Sequence, residues 1–414
     1  MMLCQFSFTN FKSYRDETIF DLQAINMAEH ENSLLRDNDG ATFLPVSVIY
    51  GPNGGGKTAV LDALYAFISR IITPINNMTR ESLHPMKYYK CPPFAFNDKS
   101  PKEPTAFTLF FRQSGFEFRY TLSIYNDEVI TESLDRKIIG AKRPAKIFHR
   151  ERNNIELGAS LSKKSVNTNN TNVNAKMPYL SFLAINYDFE IIETAVTWFS
   201  ECLFTNYSHT APGVEIALIP ELKSLLLDML CEMDIPISDV EITTKENQDD
   251  DEEIIDSVYF IRNIKGQVYK LNVFDESSGT LKLFGLLPRV LFALEDGLLM
   301  MVDEIDAGLH PKLLRYIIKL FKNPAINKKN AQLVFTSHDM TTMRSDLFRR
   351  DEIWFACRDA DGASEIYSLY DIRNPDGSRV KSDAPFYKQY LDGRYGADPY
   401  LEEMFKLDWK GVNA

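Results

Sequence analysis

Gly51-Pro52-Asn53-Gly54-Gly55-Gly56-Lys57-Thr58, read as GPNGGGKT, satisfies G-x-x-x-x-G-K-[ST] at every fixed position. Its flanks supply the structural context that the pattern requires. Upstream, Pro45-Val46-Ser47-Val48-Ile49-Tyr50 is a short apolar strand, and downstream Lys57 to Ile72, KTAVLDALYAFISRII, spaces its apolar residues at helical period. Strand, glycine loop and helix in that order make a phosphate cradle. Asn53, Gly54, Gly55 and Gly56 let backbone N–H groups close around phosphate oxygens, and the helix N-terminus adds partial positive charge. Lys57 is expected to reach the β- and γ-phosphates, and Thr58 to ligate Mg²⁺.

Such a cradle needs an acidic partner at the end of a neighbouring strand, which Leu298-Leu299-Met300-Met301-Val302-Asp303-Glu304 supplies. Asp303 is expected to hold Mg²⁺, directly or through water, and Glu304 to take a proton from an attacking water. A further strand, Gln332 to Phe335, runs into Thr336-Ser337-His338-Asp339. There His338 suits a γ-phosphate sensor or a transition-state stabiliser. A strand end in solvent and a capping histidine are the plainer readings of these residues, and the cradle upstream decides against both.

Alternating strands and helices around these motifs predict a parallel α/β core. Cys4-Gln5-Phe6-Ser7-Phe8 alternates as a half-buried strand with Thr18 to Leu22 as its hairpin partner. Thr105 to Leu134 reads as a β-meander turning at Gln113-Ser114-Gly115 and Tyr125-Asn126-Asp127. Helical periods run from Tyr187 to Leu203 and Ile219 to Met233, then after Ser277 to about Leu294 and around Pro311 to Phe321. The asparagine tract Ser165 to Ala175 reads as a loop. Asp249 to Glu253 reads as a solvated tip between strands Val240-Glu241-Ile242 and Val258-Tyr259-Phe260. Asp351 to Phe355 and Glu365 to Leu369 form a hairpin turned at Asp361-Gly362. The expected division is an N-terminal lobe over residues 1–160, a helical insertion over 161–255 and a C-terminal lobe over 256–414.

With 414 residues, 44% hydrophobic and 25% charged, the chain can bury a large core. Its five cysteines are scattered without a C-x-x-C pair and its six histidines lack metal spacing, so no transition-metal site is expected. The opening MMLCQFSFTNFKSYRDE carries charges where a leader would be apolar, and no apolar run reaches about eighteen residues. A soluble, cytoplasmic protein away from membranes is the expectation. A net charge of −12 and a pI near 5.2 argue against a surface generally attractive to nucleic acid. The basic pairs Lys142-Arg143, His149-Arg150, Lys163-Lys164 and Arg349-Arg350 read as solvated faces.

GPNGGGKT, Ser277-Ser278-Gly279-Thr280 within FDESSGTLK, the strand ending in Asp303-Glu304, Ala307-Gly308-Leu309-His310, and Thr336-Ser337-His338-Asp339 follow the order used by ABC-type ATPases. Phe6-x-Phe8-x-Asn10-Phe11-Lys12-Ser13 resembles the opening of the recombination-protein-F and structural-maintenance-of-chromosomes branch. Within that branch the chain is similar to the AAA-type ATP-binding proteins of bacterial abortive-infection and anti-phage operons and to overcoming-lysogenization-type ATPase heads. The tail Tyr390-Leu391-Asp392-Gly393-Arg394-Tyr395-Gly396-Ala397 shares that likeness. The resemblance implies an α/β fold: a P-loop NTPase, an ABC-type head with a mixed or parallel core sheet, an antiparallel side sheet and a helical insertion.

It also implies ATP and Mg²⁺ as cofactors and a homodimer or higher homo-oligomer. Each nucleotide would be sandwiched between one subunit's P-loop and Ser277, Ser278 and Gly279 of another. Asp306, Ala307 and His310 would lie in the loop at the dimer seam, and Lys12 and Ser13 would approach the nucleotide. The sequence departs from the pattern at Glu276, usually leucine, at Ser278, usually the signature's first glycine, and at His310, usually aspartate. The glutamine that reaches Mg²⁺ has no clear counterpart; Gln113 is nearest in type but reads as a turn residue. Slow or partner-triggered hydrolysis is the consequence.

The favoured function is an ATPase that senses infection or scaffolds and regulates an operon-encoded nuclease or toxin. The compact head, acidic surface and lack of a coiled coil support it. The alternative, a DNA-repair clamp of the recombination-protein-F type, needs a basic stripe that the charge does not advertise, so nucleic acid is not an indicated partner. A nuclease built on Asp359-Ala360-Asp361 is set aside because Gly362 puts that pair in a turn. A platform that only holds ATP has no need of Glu304.

Overall fold

The strands of the central sheet are apolar on both faces because both faces are covered. The computed structural model describes residues 1–79, 86–162, 173–205, 211–246 and 253–397. The chain opens with β1 (Met2–Thr9), β2 (Thr18–Asp21) and a ribbon of β3 (Leu35–Arg36) and β4 (Thr42–Phe43), then β5 (Val46–Tyr50) and helix α1 (Lys57–Thr79). The meander β6 (Thr105–Gln113), β7 (Phe116–Tyr125) and β8 (Glu128–Ile138) continues through β9 (Ala145–Glu151) and β10 (Asn154–Leu157). With β1 and β2 it makes a seven-stranded antiparallel sheet.

Helices α2 (Ala159–Ser162), α3 (Tyr179–Asn186) and α4 (Glu190–Ser200) lead to the short strand β11 (Leu203–Thr205). Then come α5 (Ala211–Ala217), α6 (Pro220–Glu232) and the strands β12 (Asp239–Glu246), β13 (Glu253–Ile264) and β14 (Gln267–Asn272), which form a sheet of their own. The chain proceeds through α7 (Ser278–Asp296), β15 (Leu299–Val302), α8 (Pro311–Lys322), β16 (Gln332–Thr336), the hairpin β17 (Ile353–Arg358) and β18 (Ser364–Ser368), and α9 (Phe386–Leu391).

The central sheet runs β11, β15, β16, β5, β17, β18, parallel except for the last hairpin. Ile49, Leu299, Met301, Val334 and Trp354 face α1 and the antiparallel sheet. Val48, Tyr50, Met300, Val302, Leu333 and Phe335 face α7 and α8. That two-sided cover is why these strands read as apolar runs instead of alternating. Helix α1 packs Phe67 onto Phe107 and Tyr120, with ring centroids 5.3 and 5.5 Å apart. By length and composition it could cross a membrane, but 67% of its apolar window is buried inside the protein, so it serves as a core helix.

The structure corrects several readings. The Asp303-Glu304 strand, β15, does not adjoin β5, because β16 lies between them. The meander is longer than expected, and β9 carries Arg150, which is buried and not solvated. Its guanidinium donates to Arg152 O and Met177 O, both at 2.7 Å, and lies 3.8 Å from buried Glu132. Glu132 in turn accepts from Tyr179 N at 2.6 Å and Leu180 N at 2.8 Å, capping α3. The Arg349-Arg350 pair is not a solvated face either. Arg349 is fully buried and donates to Ile25 O at 2.8 Å, to Met27 O at 3.4 Å, to Glu29 O and to Asp351, while Arg350 pairs with Glu29.

Asp359 closes the β17–β18 turn, accepting from Asp361 N and Ala363 N, and both aspartates meet Arg15. The expected helix over 187–203 begins at Glu190, after α3, and the strand β14 was not anticipated. Lys163-Lys164, most of the asparagine tract and Asp249 to Glu252 lie outside the described residues.

Arg349→Met leaves Asp351 buried and three loop carbonyls without their donor. It is expected to cost about 3–5 kcal/mol in denaturant unfolding; a change below about 0.5 kcal/mol would show that the arginine does not hold the 25–29 loop.

Candidate active site

Glycine geometry shapes the loop first. Gly51 leaves β5 at φ 148°, and a Cβ there would lie 2.1 Å from Ala356 O; at Gly56, φ 111°, it would lie 2.6 Å from Ser364 Oγ. Both neighbours belong to the β17–β18 hairpin, so the loop is pressed against it and only glycine fits. Gly55 is similarly close to Ala356 O. Tyr14 Oη donates to Gly56 O at 3.2 Å. Lys57 is buried at the start of α1, its Nζ donating to Gly51 O at 2.9 Å and Pro52 O at 3.1 Å. Burial pulls its pKa down, against the opposing charges of Glu304, Asp303 and Asp306.

Thr58 Oγ1 donates to Asp303, 3.1 Å from either carboxylate oxygen. Asp303 also accepts from Thr336 Oγ1 at 2.6 Å, and the same hydroxyl accepts from Glu304 N at 2.7 Å. Thr336, at the end of the intervening strand β16, therefore fixes both carboxylate residues. Sequence reading missed it, although it opens the Thr336-Ser337-His338 run that was singled out for its histidine. Glu304 holds φ 47°, a left-handed conformation uncommon outside glycine, which the surrounding hydrogen bonds maintain. Its side chain is half-exposed, with Oε1 3.7 Å from His338 Nε2. His338 N donates to Asp306 Oδ1 at 3.1 Å.

A cavity of about 320 Å³ gathers Lys12, Ser13, Asn53, Gly54, Gly56, Lys57 and Thr58 with Glu304 and His338. Asp62 and Arg358, not anticipated, line it too. Lys12 Nζ pairs with Asp62 at 2.5 Å. Burial works to lower the Lys12 pKa, and the hydrogen bond and charge of Asp62 more than reverse this, so it is raised. Ser13 Oγ lies 2.8 Å from Ser364 Oγ. An adjoining cavity of about 540 Å³ is lined by Thr58, Asp303, Glu304 and Ala307.

Ser277, Ser278 and Gly279 line neither cavity. Ser277 caps α7, its Oγ accepting from Thr280 N at 3.1 Å, and both serines are exposed. Glu276, where leucine is usual, pairs with Arg262. The carbonyl of Ala307 accepts from Lys282 on α7, and His310 caps α8 by accepting from Lys312 N at 3.2 Å.

One hydroxyl and one carboxylate suit a hydrated divalent cation that takes its other ligands from water and phosphate. Among the described residues, no group of three or more His, Cys, Asp or Glu could form an all-protein cage. The glycine-walled loop at a helix N-terminus suits nucleotide phosphates.

Residues 46–344 match the family described as "AAA domain, putative AbiEii toxin, Type IV TA system". The chain belongs to this family. It is therefore a P-loop ATPase with an AAA domain. No curated protein matches it. Among solved structures, the SMC head bound to the C-winged helix domain of ScpA aligns at 12% identity and TM-score 0.41, covering 89% of this chain and 97% of that one. The recombination mediator RecF with ATPrS aligns at 14% identity and TM-score 0.37, covering 88% and 98%.

Thr336→Val is expected to reduce phosphate release about 10–100-fold through misplaced Asp303 and Glu304; an unchanged rate would show that the Thr336 hydroxyl does not position them. Lys282, which donates to Ala307 O, gives a test by pH of the tie between α7 and the loop after Glu304. Burial lowers its pKa from 10.5 to about 8, so between those values the unfolded chain binds the proton more tightly and this group adds stability as pH rises. Urea unfolding at about pH 7 and about pH 9.5 should show a gain in the wild type that shrinks in Lys282→Met; an equal gain in both would assign it elsewhere.

Proposed function

We propose that this ATPase binds ATP and Mg²⁺ at the Lys57 loop, closes on a second copy of itself around the nucleotide, and thereby regulates a partner effector in bacterial anti-phage defence as a soluble cytoplasmic protein. One observation supports the pairing: Ser277, Ser278 and Gly279 line neither cavity of their own subunit. Lys57, Thr58, Glu304 and His338 meet at one cavity, with Asp303 beside it. Ser277, Ser278 and Gly279 stand apart at the exposed start of α7. Donors at a helix N-terminus suit a γ-phosphate held by another subunit's Lys57. Phe274, just upstream and 83% exposed, is a large apolar side chain that a second subunit would cover.

In this reading Lys57 reaches the β- and γ-phosphates, Thr58 and Asp303 hold Mg²⁺, and Lys12 and Ser13 approach the nucleotide from the N-terminal strand. ATP supplies the transferable phosphoryl group, and Mg²⁺ neutralises charge on it. Glu304 takes the proton of the attacking water, and His338, tethered through its backbone to Asp306, faces the γ-phosphate. Asp306, Ala307 and His310 form the seam. Ser278 in place of glycine and the missing glutamine favour slow hydrolysis that a partner accelerates.

The description of the family names a putative AbiEii toxin and a type IV TA system, which supports a place for this chain in a toxin-linked system. The DNA-clamp alternative loses support at Arg150, Arg349 and Arg350, which are bound to partners within the subunit, while Lys142 and Arg143 stay exposed.

Glu304→Gln is expected to lower phosphate release about 10²–10⁴-fold and to accumulate a larger species with ATP in sedimentation. Equal rates would sink the assigned role of Glu304. Ser278→Arg is expected to keep ATP binding by the single subunit while losing ATP-dependent dimerisation and hydrolysis. Loss of ATP binding itself would place these serines at their own subunit's nucleotide.

A further inference from the structure

Sharing no lining residue with the nucleotide cavity, helices α6, α7 and α8 border a groove of about 480 Å³. Its floor includes the buried side chains of Ile216, Met229, Leu294 and Leu320. Leu225, Phe292 and Ile326 line it while remaining 45%, 37% and 43% exposed. Single exposed apolar residues are ordinary, whereas several meeting at one concave place mark an interaction surface.

The charged side chains lining the groove have one sign. Asp228 and Glu232 on α6 and Glu295 and Asp296 at the end of α7 line it, and no lysine or arginine does so among the described residues. Glu232 accepts from Tyr316 Oη. Lys329 stands outside the lining, 3.8 Å from Glu295 and 3.9 Å from Asp296, in exposed pairs too weak to neutralise the rim.

We propose that this groove docks an amphipathic helix of a partner protein, apolar on one face and rich in lysine or arginine on its flanks. Helix-in-groove recognition supplies the apolar contact, and the carboxylates select basic flanks. Other occupants fit the charge less well. A second copy meeting this face across a two-fold axis would bring the acidic rim against itself. The chain's own residues 398–414 carry Asp398, Glu402, Glu403 and Asp408 against only Lys406 and Lys410, which is again the wrong sign.

The groove also lies on elements of functional consequence. It includes the last turns of α7, whose first turn bears Ser278 and Gly279, and a face of α8, which begins at the His310 cap. A partner seated there therefore bears on the far ends of two helices that carry seam residues. This coupling rests on the proposed reading that the ATPase works through a partner; the docking itself does not.

The test is fluorescence anisotropy, without nucleotide, using a labelled synthetic helix of about 18 residues with leucine on one face and lysine on the other. A control peptide carries glutamate in place of lysine. The leucine–lysine peptide is expected to bind the wild type at least about tenfold more tightly than the control. Leu225→Ser with Phe292→Ser should lose about tenfold in affinity for it, and Asp228→Lys with Glu295→Lys should reverse the peptide preference. These side chains are exposed or partly exposed, and circular dichroism checks that the variants remain folded.

Three results would overturn the proposal. Equal binding by the wild type and the serine variant would mean only general attraction to an acidic protein. Competition by a synthetic peptide of residues 398–414 would assign the groove to the chain itself. A nucleotide-independent dimer dissolved by the serine variant would assign it to a second copy. Because no nucleotide is present, failure here leaves the outcomes for Glu304→Gln and Ser278→Arg to be judged separately.

Discussion

The phosphate loop depends on a close approach between two backbones. The carbonyl of Ala356 on β17 occupies the space where Gly51 and Gly55 would carry side chains, and Ser364 on β18 occupies it for Gly56. Residues three hundred positions apart in the chain thus form one wall. The parallel pairing of β5 with β17 brings them together, and apolar cover on both faces of the sheet stabilises that pairing. The glycines serve the phosphates by leaving N–H groups accessible, but their first requirement is steric and comes from the C-terminal hairpin. A change in β17 would therefore reach the nucleotide without touching it.

A second constraint acts through the Thr336 hydroxyl. It spans β16 to β15, donating to Asp303 and accepting from Glu304 N. One group thereby sets both the proposed metal carboxylate and the proposed base, and Glu304 retains a backbone conformation it would not choose alone. Asp306 repeats the device on His338. Placing a strand between β5 and β15 gives the site this bridging residue, which direct pairing of those strands would not provide.

These two devices mark what could be read from the sequence. The phosphate loop, the Asp303-Glu304 strand end and the helix starting at Ser278 were legible because each is local: a few adjacent residues in a strand–loop–helix context dictate the conformation. Thr336 was overlooked because its partners lie on another strand, and a threonine beside a histidine carries no signal of its own. Arg150 and Arg349 were misread for the same reason. Adjacent basic residues suggest solvent, and only the fold supplies the carbonyls of Met177, Ile25 and Glu29 that allow burial. Strand β9 escaped notice where Lys146, His149 and Arg150 interrupt its apolar run, and β14 because it has no buried face to pattern it.

The start of α7 joins a local cap to contacts that reach the candidate active site. Ser277 caps α7 in the ordinary way, yet the first turn of that helix is tied to the loop after Glu304. A Cβ at Gly279 would lie 3.0 Å from Gly308 O, and Lys282 donates to Ala307 O. That loop reaches His338 through Asp306. The signature turn, seam loop and histidine are thus connected within one subunit, although the signature stands away from that subunit's cavity. Pressure on the signature from a second subunit's nucleotide would pass through these contacts towards the first subunit's Glu304 and His338. In the proposed dimer these short contacts would couple the α7 turn of one subunit to its own Glu304 and His338 without a large domain movement, the turn and its loop moving as a unit.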